Sequence, residues 1–225
     1  MSVRENIIEF NNQLKGSNCQ LIAVSKTKPV ELIREAYDAG QLDFGENKIQ
    51  ELREKPEQLP GDIHWHMIGH VQTNKVKYIA PFIYLIHAVD SLKLLKEINK
   101  QAEKNDRTIN CLLQVHIAQE SQKFGFEENE LIELLNSNEI EDLPNVRIIG
   151  LMGMATYTDD LDQVRSEFKS LKKIFDLINS KISSPNVEMQ EISMGMSDDY
   201  PIAIEEGSSM IRVGSKIFGA RNYTK

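Results

Sequence analysis

Lys26 closes an apolar run, Leu21-Ile22-Ala23-Val24-Ser25-Lys26, and Thr27-Lys28-Pro29 follows it. A β-strand that ends in lysine places an amine at the rim of a sheet, where parallel α/β folds do their chemistry. An amine held there condenses with an aldehyde once its pKa is lowered enough to leave it partly neutral. Lys28, Lys75 and Lys216 compete for the role. Lys28 just precedes a helix opening at Pro29 and is expected to face solvent. Most strand-end lysines are simply solvated, so the reading needs a second feature.

That feature is a set of glycine and polar residues just after the other apolar runs. They are Gly45-Glu46-Asn47, Gly69-His70 with Gln72 and Asn74, Gly153, Gly195-Met196-Ser197 and Gly214-Ser215. In an α/β barrel all of these converge on one face, and phosphate commonly binds on the loops after strands seven and eight. Glycine there lets backbone N–H groups approach phosphate oxygens, and serine adds hydroxyl donors. Each glycine alone reads as an ordinary turn residue. Arg212 lies two residues before Gly214, placed either to neutralise a ligand or touch its ring, or to serve as a structural ion-pair partner. Asp198 and Asp199 sit badly beside an anion and are expected to cap a helix near Pro201, turned away from the phosphate. An amine facing a phosphate rim makes pyridoxal 5′-phosphate (PLP) the obvious aldehyde. A barrel isomerase binding a sugar phosphate without PLP is an alternative.

Other residues point to packing. His64 and His66 share one strand face, and an HxH pair can open a metal site. No matching acid or histidine stands at suitable spacing, and His70 and His87 fit nothing obvious, so no metal is expected. Met152 to Met154 read as barrel packing or a soft wall for a ring. Cys19 and Cys111 form no CxxC pair, Cys111 reads as a core residue, and so few cysteines suggest a reducing compartment.

The elements that must position these residues are β-rich runs alternating with helical patterns. Strands are expected at Leu21–Val24, Leu42–Phe44, Ile63–Ile68, Ile83–Val89, Cys111–Ile117, Val146–Met152, Met189–Ser193 and Met210–Val213. Helices are expected at Val3–Leu14, Pro29–Ala39, Ser91–Lys104, Glu127–Asn136 and Leu161–Ile182. In the last of these, Phe168, Leu171, Phe175, Ile178 and Ile182 form one apolar stripe. Eight alternating units close as a single-domain (β/α)8 TIM barrel spanning residues 1–225, with an extra helix in front. A doubly wound open sheet is the alternative. Pro56 to Asp62, Asn105 to Asn110 and Ser180 to Asn186 read as loops. The chain has 225 residues and a net charge of -8, which argues against broad nucleic-acid binding. The polar start predicts no signal peptide, and the most apolar window, Tyr78 to Val89, is too short to span a bilayer. A cytoplasmic protein follows.

Six blocks in register carry a resemblance to a known family. They are Ala23-Val24-Ser25-Lys26-Thr27-Lys28-Pro29, Phe44-Gly45-Glu46-Asn47, the stretch from Trp65 to Lys75, Gly150-Leu151-Met152, the stretch from Ser193 to Asp199, and the stretch from Ile211 to Arg221. Together the chain resembles the pyridoxal phosphate homeostasis protein family, similar to the N-terminal domain of alanine racemase, of PLP fold type III. The resemblance implies that Lys26 is the internal aldimine lysine. It implies that Ser197, Gly214 and Ser215 hold the phosphate, that Arg212 lies by the pyridine nitrogen or phosphate, and that Asn47 lies near the cofactor. Ser193 and Met152 are further cofactor-binding candidates.

The resemblance also implies a carrier that buffers and delivers PLP, without turnover, with apo PLP enzymes as clients. An arginine beside the ring nitrogen cannot accept a proton, which leaves the pyridine a poorer electron sink. Racemisation needs a group on each face of the substrate carbon, and alanine racemase draws one from a C-terminal domain for which this chain shows no counterpart. A slow PLP-dependent amino-acid racemase or lyase is the alternative. With no exposed apolar stripe, a monomer is expected.

Overall fold

The computed structural model describes residues 2–119 and 124–220. Arg221, part of the last sequence block, lies outside the described residues. Eight strands run β1 (Gln20–Val24), β2 (Asp43–Glu46), β3 (His64–Met67), β4 (Leu85–Val89), β5 (Ile109–Gln114), β6 (Val146–Met152), β7 (Val187–Ser193) and β8 (Met210–Val213). They pair in chain order, all parallel, and β1 pairs with β8, so the sheet closes into a barrel and is not the open alternative.

Eight α-helices accompany them: α1 (Val3–Gln13), α2 (Val30–Asp38), α3 (Ile49–Glu54), α4 (Leu92–Lys104), α5 (Glu128–Leu135), α6 (Leu161–Lys181), α7 (Tyr200–Glu205) and α8 (Ser215–Phe218). Local chemistry sets their starts. Ser2 caps α1, with Glu5 returning the bond to the Ser2 N–H. Ser91 caps α4, and Asp160 caps α6 through the N–H groups of Asp162 and Gln163. The stripe of α6 buries Phe168, Leu171, Phe175 and Ile178. Sequence reading missed α3, a six-residue helix that buries only Leu52, too little to make a stripe. It also missed the 3-10 turns at Pro56–Gln58 and Thr73–Tyr78.

Two apolar layers follow from strand alternation. Leu21 and Ala23 on β1 join the large cluster between strands and helices. Ile22, between them, points inward and meets Leu85, Leu112, Ile149, Met152 and Met210. That inner cluster fills one part of the barrel. The part lined by β2, β3 and β4 holds Asp43, His66 and His87, all buried.

Candidate functional site

The rim is built where the last strand meets the first. Ile22 stands opposite Arg212, and Ala23 opposite Val213. Gly214 follows at the start of α8, so close to β1 that a Cβ there would lie 3.1 Å from the Val24 carbonyl oxygen. The Gly214 N–H points to Ser197 Oγ at 3.4 Å. The Arg212 N–H donates to the Gly195 carbonyl at 3.0 Å. Gly195 has φ +90°, and a Cβ would meet that of Ala203 at 2.5 Å, so only glycine makes this turn without strain. The structure thus gathers Ser197, Gly214 and Ser215 beside the end of β1, which leads through Ser25 to Lys26.

The acids next to this rim behave differently from expectation. Asp199 occupies the residue before α7 but makes no side-chain cap there. Pro201, in the first turn, offers no N–H. The Asp199 carboxylate instead accepts the Met196 N–H at 2.5 Å, fixing the loop that carries Ser197. Asp198 is exposed.

Lys26 is half-buried, and a charged cluster behind it holds its loop. Ser25 Oγ donates to Glu46 Oε1 at 2.6 Å, and the Thr27 N–H donates to Glu51 at 2.7 Å. Lys55 Nζ reaches the Ser25 carbonyl at 2.9 Å and both Glu46 and Glu51 at 2.6 Å. These bonds hold Thr27 in a left-handed conformation at φ 62°. Burial pushes the Glu46 carboxyl up to about 7, against the opposing pull of Lys55. Sequence reading missed this cluster. Its one available signal was Glu46, an acid among the buried residues of β2, whereas nothing marks Lys55 in its polar surroundings.

Lys28 corrects an expectation. It does not face solvent freely. Its Nζ donates to the carbonyls of Phe218, Gly219 and Ala220 at 3.0, 2.9 and 3.0 Å, closing the C-terminal end of α8. Lys216 lies over the Tyr200 ring, 5.0 Å from its centroid.

Arg212 is buried and, among the described residues, bonds no carboxylate. Nη1 donates to the Ser193 carbonyl at 2.7 Å and to Ser193 Oγ at 2.6 Å, and Nη2 donates to the Gly153 carbonyl at 3.0 Å. Of the two sequence readings for this arginine, the structural ion pair is therefore set aside. Burial lowers its pKa to about 10, with the charge of Asp199 acting in the other direction. Ser193 is fully buried at the end of β7, and Met152 lies in the inner apolar cluster. Asn47 follows β2, its backbone pressed against Gly69, where a Cβ would lie 2.5 Å from the Asn47 oxygen. Asn47 also walls an open groove of about 620 Å³ with Arg53, His70, Gln72, Lys75 and Tyr78.

The histidine pair has a role other than metal binding. His64 and His66 both bond Asp43, His66 bonds His87, and His70 pairs with Asp90 at 2.9 Å. Among the described residues no group of three histidine, cysteine or acidic side chains is placed to hold a metal ion. Cys19 and Cys111 are buried and unpaired to each other. Among the described residues no helix is long and apolar enough to cross a membrane.

A closed parallel barrel with an amine-bearing first loop and glycine–serine turns after its last two strands defines an α/β barrel with the layout on which such folds commonly bind phosphate. Residues 1–222 match the family described as alanine racemase, N-terminal domain, and the chain belongs to that family, alongside proteins named pyridoxal phosphate homeostasis protein. One such relative, from Aquifex aeolicus, is 41% identical over 93% of this chain and 90% of its own length. The structure of PipY from Synechococcus elongatus with PLP bound superposes with a TM-score of 0.87 at 33% identity, over 97% of this chain and all of that one (100%). Alanine racemase from Streptomyces lavendulae shares the fold, with a TM-score of 0.77 at 15% identity, over 97% of this chain and 57% of its own.

Proposed function

We propose that this chain binds PLP, covalently through Lys26 Nζ, and serves cellular PLP homeostasis as a carrier. The observation that carries the reading is the seam between β8 and β1. Gly214 lies against Val24 and Ser197, so phosphate donors and the amine-bearing loop share one rim. The donor set fits the group: backbone N–H groups and hydroxyls at Ser197, Gly214 and Ser215 for the phosphate, Arg212 for the ring nitrogen or phosphate, and Asn47 at the near wall. Met152, in the inner apolar cluster, and Ser193, bonded to Arg212, are the further candidates. PLP supplies an aldehyde that condenses reversibly with amines.

The chain's own residues favour holding over turnover. Arg212 has donors only, so it takes no proton from a pyridinium. Its three protein bonds fix it in place. Glu46, Glu51 and Lys55 keep the Lys26 loop in one conformation. We read the protein as a cytoplasmic monomer that releases its cofactor to apo enzymes, and a slow racemase or lyase activity is the alternative. Its relative from Aquifex aeolicus carries the name of a homeostasis protein, which supports the carrier.

The purified protein with PLP should absorb near ~420 nm, and borohydride should fix the label on the peptide containing Lys26. Lys26→Ala should lose that band and keep weak phosphate-driven binding. A full band in Lys26→Ala, or a label on another lysine, overturns the assignment. Solvent deuterium appearing at the α-carbon of an amino acid would establish the enzyme instead.

A further inference from the structure

A continuous file of hydrogen bonds crosses the barrel interior from β8 to β2. Arg212 Nη1 meets Ser193 Oγ at 2.6 Å. Ser193 Oγ meets His87 Nδ1 at 2.9 Å. His87 Nε2 meets His66 Nδ1 at 2.9 Å, and His66 Nε2 meets Asp43 Oδ1 at 3.0 Å. Ser193, His66 and His87 are 0% exposed, so bulk solvent does not reach these atoms.

The Asp43 end fixes every proton in the file, and the Arg212 end is compatible with that order. Arginine only donates, so Ser193 Oγ accepts from it. A serine oxygen has two acceptor lone pairs, so this bond alone does not direct its hydrogen. The Asp43 end does, since its ionised carboxylate only accepts and needs the His66 Nε2–H, which leaves neutral His66 a lone pair on Nδ1. Neutral His87 therefore bears its hydrogen on Nε2 and donates to His66 Nδ1. The lone pair left on His87 Nδ1 takes the serine hydrogen. Reversing the file would turn a His66 lone pair onto the Asp43 carboxylate. Burial disfavours the charged form of both rings and pushes their pKa values down, which keeps them neutral. Burial would raise Asp43, but the bonds from His66 and His64 outweigh it and hold its carboxyl below the usual range.

We propose that Asp43, His66, His87 and Ser193 are positioning residues for Arg212, holding it at one end of a hydrogen-bonded file with a single proton arrangement. The inference rests on the reading of Arg212 as a PLP contact. Three of the five N–H donors of Arg212 are used inside the protein, which leaves two uncommitted for the proposed cofactor contact. The Ser193 hydroxyl hydrogen is committed to His87. Ser193 thus acts on the cofactor only through Arg212. A guanidinium fixed from behind loses little freedom on binding, the preorganisation that raises affinity.

Long-range proton–nitrogen NMR on the ligand-free protein with labelled histidine reads the rings directly. Both His66 and His87 should be neutral with the hydrogen on Nε2, the signals being assigned by their loss in His66→Gln and His87→Gln. Either ring carrying its hydrogen on Nδ1, or averaging between the two, overturns the file. Glutamine can accept from Ser193 and donate to His66, whereas leucine can do neither. His87→Leu should weaken PLP binding about tenfold and shift the absorption of the bound chromophore, while His87→Gln should stay within about threefold of the parent. Equal affinity and spectrum in His87→Leu and the parent overturn the positioning role. Should His87→Leu fail to fold, the tautomers and His87→Gln decide, and loss of binding and spectrum in a folded His87→Gln with the His66 tautomer kept counts against it. A parent protein that takes up no PLP, with both tautomers as stated, removes the cofactor reading and leaves the file standing.

Discussion

Lys26 and Lys28 stand two residues apart, and only Lys28 is given over to bracing the fold. Lys26 could be singled out in the sequence because the proposal for it rests on a local feature, the end of an apolar strand. Lys28 could not, because its three carbonyl partners lie about 190 residues further along the chain. Their oxygens are the orphan acceptors of the end of α8, and an ammonium there answers both their charge and their unmet bonds. Lys28→Met should therefore cost about 1–3 kcal/mol in chemical denaturation, since a half-buried charged group makes three bonds. The Lys26 band near ~420 nm should survive the change, because the proposed imine uses the Lys26 amine and not that of Lys28. Loss of the band without loss of stability would show that Lys28, and not Lys26, carries the cofactor.

The loop between β1 and α2 is an element-scale device. Its residues were legible as a motif, but its support was not. Glu46 and Asn47 read as rim residues after a strand, yet Glu46 turns to the outer layer and grips Ser25 and Lys55. The short α3 supplies Glu51, and a single buried leucine gave no pattern to find it by. The Glu46 carboxyl rises from 4.5 to about 7 on folding. Such a group stabilises the fold in its protonated form, fully below its unfolded pKa, and that contribution disappears as pH rises through the folded value. Wild-type stability should fall by roughly 2 kcal/mol relative to Glu46→Gln between about pH 5 and pH 8. Urea titrations of both proteins across that window give the difference directly. Parallel curves would mean that Lys55 keeps Glu46 ionised throughout, and that burial does not win.

At the scale of the molecule, alternation of strand and helix was enough to suggest closure, and the structure closes β8 onto β1. Contacts across the barrel stayed invisible. His87 fitted nothing because its partners, His66 and Ser193, are 21 and 106 residues away, and period-two alternation gives a residue's face without naming what it meets there. The extra helix in front of the barrel was expected, but its purpose appears only in three dimensions. Asn6 of α1 donates to the Ile217 carbonyl in α8 at 2.8 Å. Phe10 packs on Tyr200 of α7 with ring centroids 5.5 Å apart, and the Tyr200 hydroxyl bonds Gln13 at 3.0 Å. Thus α1 braces the two short helices that follow the Ser197 and Gly214 loops. Helices of six and four residues do not persist on their own, so their order depends on such neighbours. Asn6→Ala removes one of these ties at a cost of about 1 kcal/mol. Hydrogen exchange should quicken in α8 and in the Gly214 turn while β2 to β5 stay as protected as before. Phosphate affinity should fall in step, since the same N–H groups serve both. Uniform acceleration around the whole barrel would mean that α1 stabilises the fold globally and leaves the rim no special dependence on it.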